Sequence, residues 1–206
     1  MALSINVTSM FRDPGFYGVF LEKIAPMIQT YPFVRIWHAG CATGEEVYSL
    51  AILLKEEGLY DRCRIYATDM NEHVIETAKR GIFPLSSMKE YSANYLKAGG
   101  KGTLSDYYTA KYDNAIFNQS LVENTVFSRH NLAMEGSFNE FNVILCRNVM
   151  IYFNPELQER VHDLLKGSLC MFGFLGIGDM ESMAHCPHAT DFEAIDSRQK
   201  LYRRIG

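Results

Sequence analysis

A glycine turn between a strand and a helix dictates the architecture of this chain. Phe33-Val34-Arg35-Ile36-Trp37 is a short aromatic and β-branched run, the composition of a strand. His38-Ala39-Gly40-Cys41-Ala42-Thr43-Gly44 follows, and a helix is expected from near Gly44 to about Glu57, carrying Tyr48, Leu50, Ala51, Leu53 and Leu54. Cys63 to Thr68 reads as a second strand ending at Asp69. Asn71 then caps a helix that runs to Lys79 and stops at Gly81. Strand, helix, strand, helix in this order implies a parallel sheet with helices on its faces.

The same rhythm returns late in the chain. Phe141 to Cys146 is a buried strand, Asn154 and Pro155 open a helix to about Lys166, and Leu169 to Gly178 is another strand. Phe192 to Asp196 and Lys200 to Ile205 alternate as a closing hairpin across Ser197-Arg198-Gln199. Before the glycine turn, residues 14–30 carry apolar positions at helical spacing, with Pro26 a kink. Residues 81–130 break the pattern with Pro84 and Gly99-Gly100-Lys101-Gly102. They predict a small antiparallel β insertion, containing the runs Asp106 to Tyr112 and Asn124 to Arg129 and a short helix around Ser92 to Leu96. The domain expectation is residues 1–80 with 131–206 as one catalytic unit and 81–130 as the inserted subdomain. Tyrosines 91, 95, 107, 108 and 112 concentrate in the insertion, where a small core is favoured over a binding face.

Gross properties exclude several functions. The net charge is −4 and there is no long basic run, which disfavours a nucleic-acid substrate. The five cysteines are scattered and form no CxxC pair, arguing for a reducing compartment over a disulfide or zinc framework. The longest apolar run, Cys170 to Gly178, is too short to cross a bilayer, and Met1 to Asp13 lacks a signal-peptide pattern. The expected location is cytoplasmic, without membrane insertion. His185, Cys186 and His188 surround Pro187 and read as a loop, so no metal site is expected.

Ligands of open α/β sheets bind at the carboxyl ends of the strands, against turns such as the one at Gly40. Taken alone, the loop leaves a ligand site and a plain structural turn both open. A dinucleotide fingerprint is GxGxxG, whereas this turn is GxxxG, and Glu45 and Glu46 on the first helical turn would oppose a pyrophosphate. They suit a cationic ligand end, such as the ammonium and sulfonium of S-adenosylmethionine. Asp69, ending the next strand, is placed to accept from ribose hydroxyls. Cys41 and His38 read as packing residues.

Phe11-Arg12-Asp13, Ala39 to Ser49, Ala67-Thr68-Asp69 and Cys146-Arg147-Asn148-Val149-Met150-Ile151-Tyr152-Phe153 together resemble the CheR-type chemotaxis receptor methyltransferases, from about Ser4 to Ile205. The resemblance implies a Rossmann-like class I methyltransferase sheet with a C-terminal antiparallel hairpin and a small inserted antiparallel β-subdomain. It implies S-adenosylmethionine as cofactor, S-adenosylhomocysteine as product, and methyl transfer to glutamate side chains on the cytoplasmic helices of a membrane chemoreceptor. By position, Asn6, Thr8, Arg12, Gly40, Glu46, Asp69, Asn131, Leu132, Arg147 and Asn148 match the cofactor-binding set. Arg12 and Tyr152 match the methyl-transfer site. The family usually has proline at Val47 and serine at His38 and Ala42, and its late glycine-histidine-serine-glutamate segment is only partly matched by Gly178-Asp179-Met180-Glu181. In some members the β-subdomain binds a receptor-tail peptide. Full-length members also carry an N-terminal helical domain, so the expectation here is a catalytic domain without it, trimmed or stand-alone.

Methyl transfer to a carboxylate needs no general base, because the nucleophile is ionised at neutral pH. The absence of a Ser/His/Asp or Cys/His motif is therefore consistent with this chemistry. Two other classes stand beside it: a cofactor-binding scaffold or sensor without turnover, and a nicotinamide-dependent oxidoreductase, which GxxxG and the paired glutamates disfavour.

Overall fold

A computed structural model describes residues 8–206. The elements run α1 (Pro14–Val19), a π-helical turn (Phe20–Ile24), α2 (Ala25–Ile28), β1 (Val34–Ala39), α3 (Glu45–Glu56), β2 (Cys63–Asp69) and α4 (Glu72–Arg80). Then follow β3 (Ile82–Pro84), α5 (Met88–Lys97), β4 (Tyr108–Lys111), β5 (Asn114–Phe117) and β6 (Thr125–Arg129). The chain closes with β7 (Phe141–Cys146), α6 (Pro155–Ser168), β8 (Leu169–Ile177), β9 (Phe192–Asp196) and β10 (Leu201–Arg204).

The main sheet has seven strands in the order β6-β2-β1-β7-β8-β10-β9. The first five strands in that order are parallel, and β10 joins β8 and β9 antiparallel, as a closing hairpin. This is a doubly wound Rossmann-like arrangement, with its topological switch between β1 and β7. Side chains alternate across β1: Val34 and Ile36 join the core under α1 to α3, while Trp37 and Ala39 join the one under α6. Both sheet faces are therefore covered, which is why the central strands read as continuous apolar runs.

Three local expectations change. The Asn124–Arg129 run is not part of the insertion's sheet. Its strand β6 pairs parallel with β2, from Ile65 opposite Thr125 to Asp69 opposite Arg129. A short run reveals its period but not its partner. The insertion's own sheet is β3-β5-β4, antiparallel. The helix expected at Ser92 to Leu96 is longer, spanning all of α5. The helix over 14–30 is interrupted by the π-helical turn, and Pro26 follows it near the start of α2, where a missing N–H breaks no regular ladder.

The tyrosine-rich insertion buries Tyr91, Tyr95, Phe83 and Phe117 in the same core as α1 to α3, with Phe83 and Phe117 edge-on to Tyr48 of α3, whereas Tyr112 at the β4–β5 turn is 87% exposed. Glu56, the last residue of α3, ties this unit down. Its carboxylate accepts from the Tyr95 hydroxyl, from the Tyr107 hydroxyl at 2.9 Å and from the Lys101 N–H at 3.1 Å.

Candidate active site

The turn after β1 is held by the neighbouring strand. Gly40 and Cys41 both donate their N–H to the Thr68 carbonyl at 2.8 Å, and Ala42 N–H donates to Asp69 Oδ2 at 3.0 Å. Three of its residues have left-handed backbone: Gly40 (φ 83°), Ala42 (φ 46°) and Gly44 (φ 96°). A Cβ on Gly40 would lie 2.5 Å from Val149 Cγ2, and one on Gly44 would lie 2.9 Å from the Ala78 Cβ. Both glycines are thus required by close approach as well as by φ. Burial pushes the Cys41 thiol up, with Asp69 adding to the effect, so the helix N-terminus does not activate it.

The two glutamates of the first helical turn diverge. Glu45 is buried and accepts from the Thr43 hydroxyl at 2.7 Å; burial pushes its carboxyl up. Glu46 faces a charged network instead. Its Oε2 meets one Arg147 nitrogen at 2.8 Å, and its Oε1 meets His38 Nδ1 at 3.2 Å. The other Arg147 nitrogen pairs with Asp13 at 2.8 Å, and the guanidinium lies 4.0 Å over the Phe16 ring. The Arg147 side chain is only 2% exposed. Burial alone would raise the Glu46 carboxyl, but Arg147 and His38 outweigh it and hold the group below the usual carboxylate range.

Arg12 sits between two strained residues. Phe11 (φ 52°) and Asp13 (φ 53°) both adopt the left-handed region that L-residues avoid. The strain is held in place: Phe11 N–H donates to Ser49 Oγ at 2.9 Å, and Arg147 fixes Asp13. Such conformations persist where the surroundings over-determine them, often at functional sites.

Asp69 keeps its carboxylate at the strand end, accepting from Ala42 N–H and from Asn71 N–H, each at 3.0 Å. The loop after β6 is drawn to the same place, because His130 N–H donates to the Asp69 carbonyl at 3.0 Å. This brings Asn131 and the buried Leu132 beside Asp69. Asn131 Oδ1 accepts from Ala133 N–H at 3.0 Å. After β7, Asn148 is left-handed (φ 60°) and Tyr152 is 57% exposed. The turns after β1, β2, β6 and β7 thus converge at the carboxyl edge of the sheet. Asn6 lies outside the described residues, and Thr8 is half-buried just ahead of the Phe11-Arg12-Asp13 segment.

Two participants escape a sequence reading. Asp13 was legible only as a neighbour of Arg12, and its ion pair spans 134 positions. Glu181 ends the loosely matched Gly178 segment, yet it is buried and receives backbone N–H bonds from the Cys146–Phe153 loop. His38, read as packing, is buried and also touches Glu46. Among the described residues, no group of three or more His, Cys, Asp or Glu could hold a metal, and no helix is long and apolar enough to cross a membrane.

The residues fit a zwitterionic cofactor carrying a ribose. The glycine turn presents backbone with no room for side chains, and each carboxylate oxygen of Glu46 and Asp69, bonded once within the protein, has a lone pair left to accept from a ligand. Comparison with known proteins agrees. Residues 6–201 match the model of the CheR methyltransferase SAM-binding domain. A Pseudomonas putida protein named as a methyltransferase, Cher3, is 46% identical over 98% of this chain and 74% of its own length. Chemotaxis protein methyltransferase 2 of Pseudomonas aeruginosa is 32% identical over 91% of this chain and 67% of its own. The chemotaxis protein methyltransferase of Salmonella typhimurium is 32% identical over 89% of this chain and 63% of its own. A turn that presents bare backbone, an anchored carboxylate at the end of β2 and a family match across nearly the whole length lead to one assignment: the chain belongs to the CheR methyltransferases and carries their S-adenosylmethionine-binding domain.

Proposed function

We propose that this protein esterifies glutamate side chains on the cytoplasmic helices of a chemotaxis-type receptor. The observation that carries the reading is the Arg147–Glu46 pair. It joins the Cys146–Phe153 loop to the first turn of α3, so the cofactor end and the acceptor end of the site form one unit. The relatives named as chemotaxis methyltransferases support the substrate class. So does the rim of the site: Met70, Tyr152 and Met180 follow β2, β7 and β8 and are 63%, 57% and 77% exposed, an apolar border suited to a protein acceptor.

Gly40, Glu46 and Asp69 would hold the cofactor, with Thr8, Arg12, Asn131, Leu132 and Asn148 around it and Asn6 outside the described residues. When bound, the cofactor supplies an electrophilic methyl group. The chain's own residues supply position and dryness. Arg147 keeps Glu46 ionised to receive an ammonium. Arg12 orients a carboxylate at the mouth; a tight bidentate pairing with the nucleophile would lower its reactivity. Tyr152 walls the entrance. The acceptor glutamate arrives ionised, so rate comes from orientation and from exclusion of water.

The division of labour belongs to the proposal. The main sheet would be the catalytic unit, and the segment leaving it after α4 and rejoining it at β6 would recruit substrate. Strand β4 pairs with β5 on one side only, and its other edge suits addition of a receptor-tail strand.

The test is incubation with isotopically methyl-labelled S-adenosylmethionine and receptor fragments, followed by mild base. Ester formation releases volatile labelled methanol, whereas methylated nitrogen does not. Product binding without any transfer would leave a cofactor-sensing module instead.

A further inference from the structure

Beyond the residues that face the cofactor, Glu181 stands out. It is 4% exposed, and its carboxylate takes four backbone donors at once. Oε1 accepts from Val149 and Met150 N–H at 2.8 and 2.7 Å, and Oε2 accepts from Asn148 and Gly178 N–H at 3.1 and 2.5 Å. Three consecutive amides aimed at one anion form a nest, made by pairing a left-handed residue with a right-handed one. Asn148 (φ 60°) and Val149 (φ −110°, ψ −50°) are that pair. The nest is filled by the protein's own side chain.

Its surroundings leave no slack. A Cβ on Gly178 would lie 2.7 Å from the Asn148 nitrogen and 2.9 Å from Glu181 Oε2. On the far side, the Val149 side chain closes over Gly40, where any Cβ would collide with it. The loop held by Glu181 therefore packs on the glycine turn through the Val149 side chain. The flanking residues of the same loop are Arg147 and Tyr152.

We propose that Glu181 is a positioning residue: it fixes the Cys146–Phe153 loop against the glycine turn and so sets where Arg147 and Tyr152 stand during methyl transfer. The inference rests on the methyltransferase reading above. A carboxylate is required because four donors need a group that only accepts; the amide of glutamine would turn its own N–H groups towards them.

The experiment compares wild type, Glu181→Gln and Glu181→Asp. It measures kcat and acceptor KM with receptor fragments, S-adenosylhomocysteine affinity by calorimetry, and amide hydrogen exchange at residues 148–150. Glu181→Gln should hold KM and lower kcat on the order of 100-fold, while product affinity, which Asn148 and the Arg147–Glu46 pair also serve, falls by a clearly smaller factor. Its amides at 148–150 should exchange faster. Glu181→Asp, still acceptor-only, should recover part of kcat. A Glu181→Gln kcat within about twofold of wild type overturns the proposal. So does an equal loss of product affinity, KM and kcat in both variants, the result of a merely structural role. If Glu181→Gln does not fold, Glu181→Asp decides, and its unchanged kcat overturns the proposal. If the wild type transfers no methyl group to receptor glutamates, the substrate reading fails alone. Amide exchange then still judges Glu181, and wild-type protection in Glu181→Gln overturns its role.

Discussion

Replacing Arg147 with alanine removes the centre of the charged network. The guanidinium is almost wholly buried, makes two charge-assisted hydrogen bonds at 2.8 Å and lies over Phe16. Removing one partner of a buried pair costs about 3–5 kcal/mol, because the remaining charge stays buried without compensation. For a chain of this size that is roughly 6–20 °C in melting temperature. The sign with pH follows from Glu46. In the wild type its carboxyl is held low, so its contribution is complete above the unfolded value of about 4.3 and is lost as pH falls through the lower folded value. In Arg147→Ala the burial penalty on Glu46 loses its main opponent, and the carboxylate becomes a cost at neutral pH. The gap between wild type and variant should therefore be widest near pH 7 and narrow towards about pH 4. Urea unfolding across that range measures it. A difference below about 1 kcal/mol at pH 7, the value of an exposed pair, would refute the reasoning, as would a gap that does not change with pH.

Three further outcomes are expected. Gly40→Ala forces a left-handed alanine against Val149 and should cost at least about 1–2 kcal/mol, read as a lower urea midpoint; unchanged stability would remove the close-approach argument. Tyr152→Phe removes a hydroxyl from a side chain more than half exposed, so stability should move by less than about 0.5 kcal/mol while kcat falls and product affinity holds; an unchanged kcat takes the hydroxyl out of the mechanism. The Cys41 thiol, buried and pushed up, should resist alkylation at pH 8 in the native protein, and labelling as fast as in urea would contradict its burial.

The parallel sheet and the glycine turn were legible because their signals are local. An aromatic and β-branched run, a turn at Gly40 and a cap at Asn71 each lie within a few residues of the structure they dictate. The Asn71 side chain does accept from His73 N–H, and the Asn154 side chain from Leu157 N–H, as their positions foretell. Non-local facts were not legible. Nothing in Thr125–Arg129 says that its neighbour is β2. Nothing in Asp13 says that Arg147 will reach it. Glu181 was the hardest to read, since its partners are backbone amides, which every residue except proline carries and no motif encodes. The left-handed Asn148 was a faint clue, because asparagine tolerates that region better than most residues.

Helix α3 enters the candidate site through Glu46, which pairs with Arg147, and grips the insertion through Glu56. Near its start, Glu45 also adds to the burial that pushes the Tyr91 hydroxyl of α5 up to about 12. The insertion is thus bolted along a helix of about 18 Å and not hung from a linker. A peptide captured on β4 would be presented at a constant offset from the methyl-transfer site. The slack in such a tether would lie entirely in the substrate's own tail, whose length would then set the effective concentration of acceptor glutamates at the site.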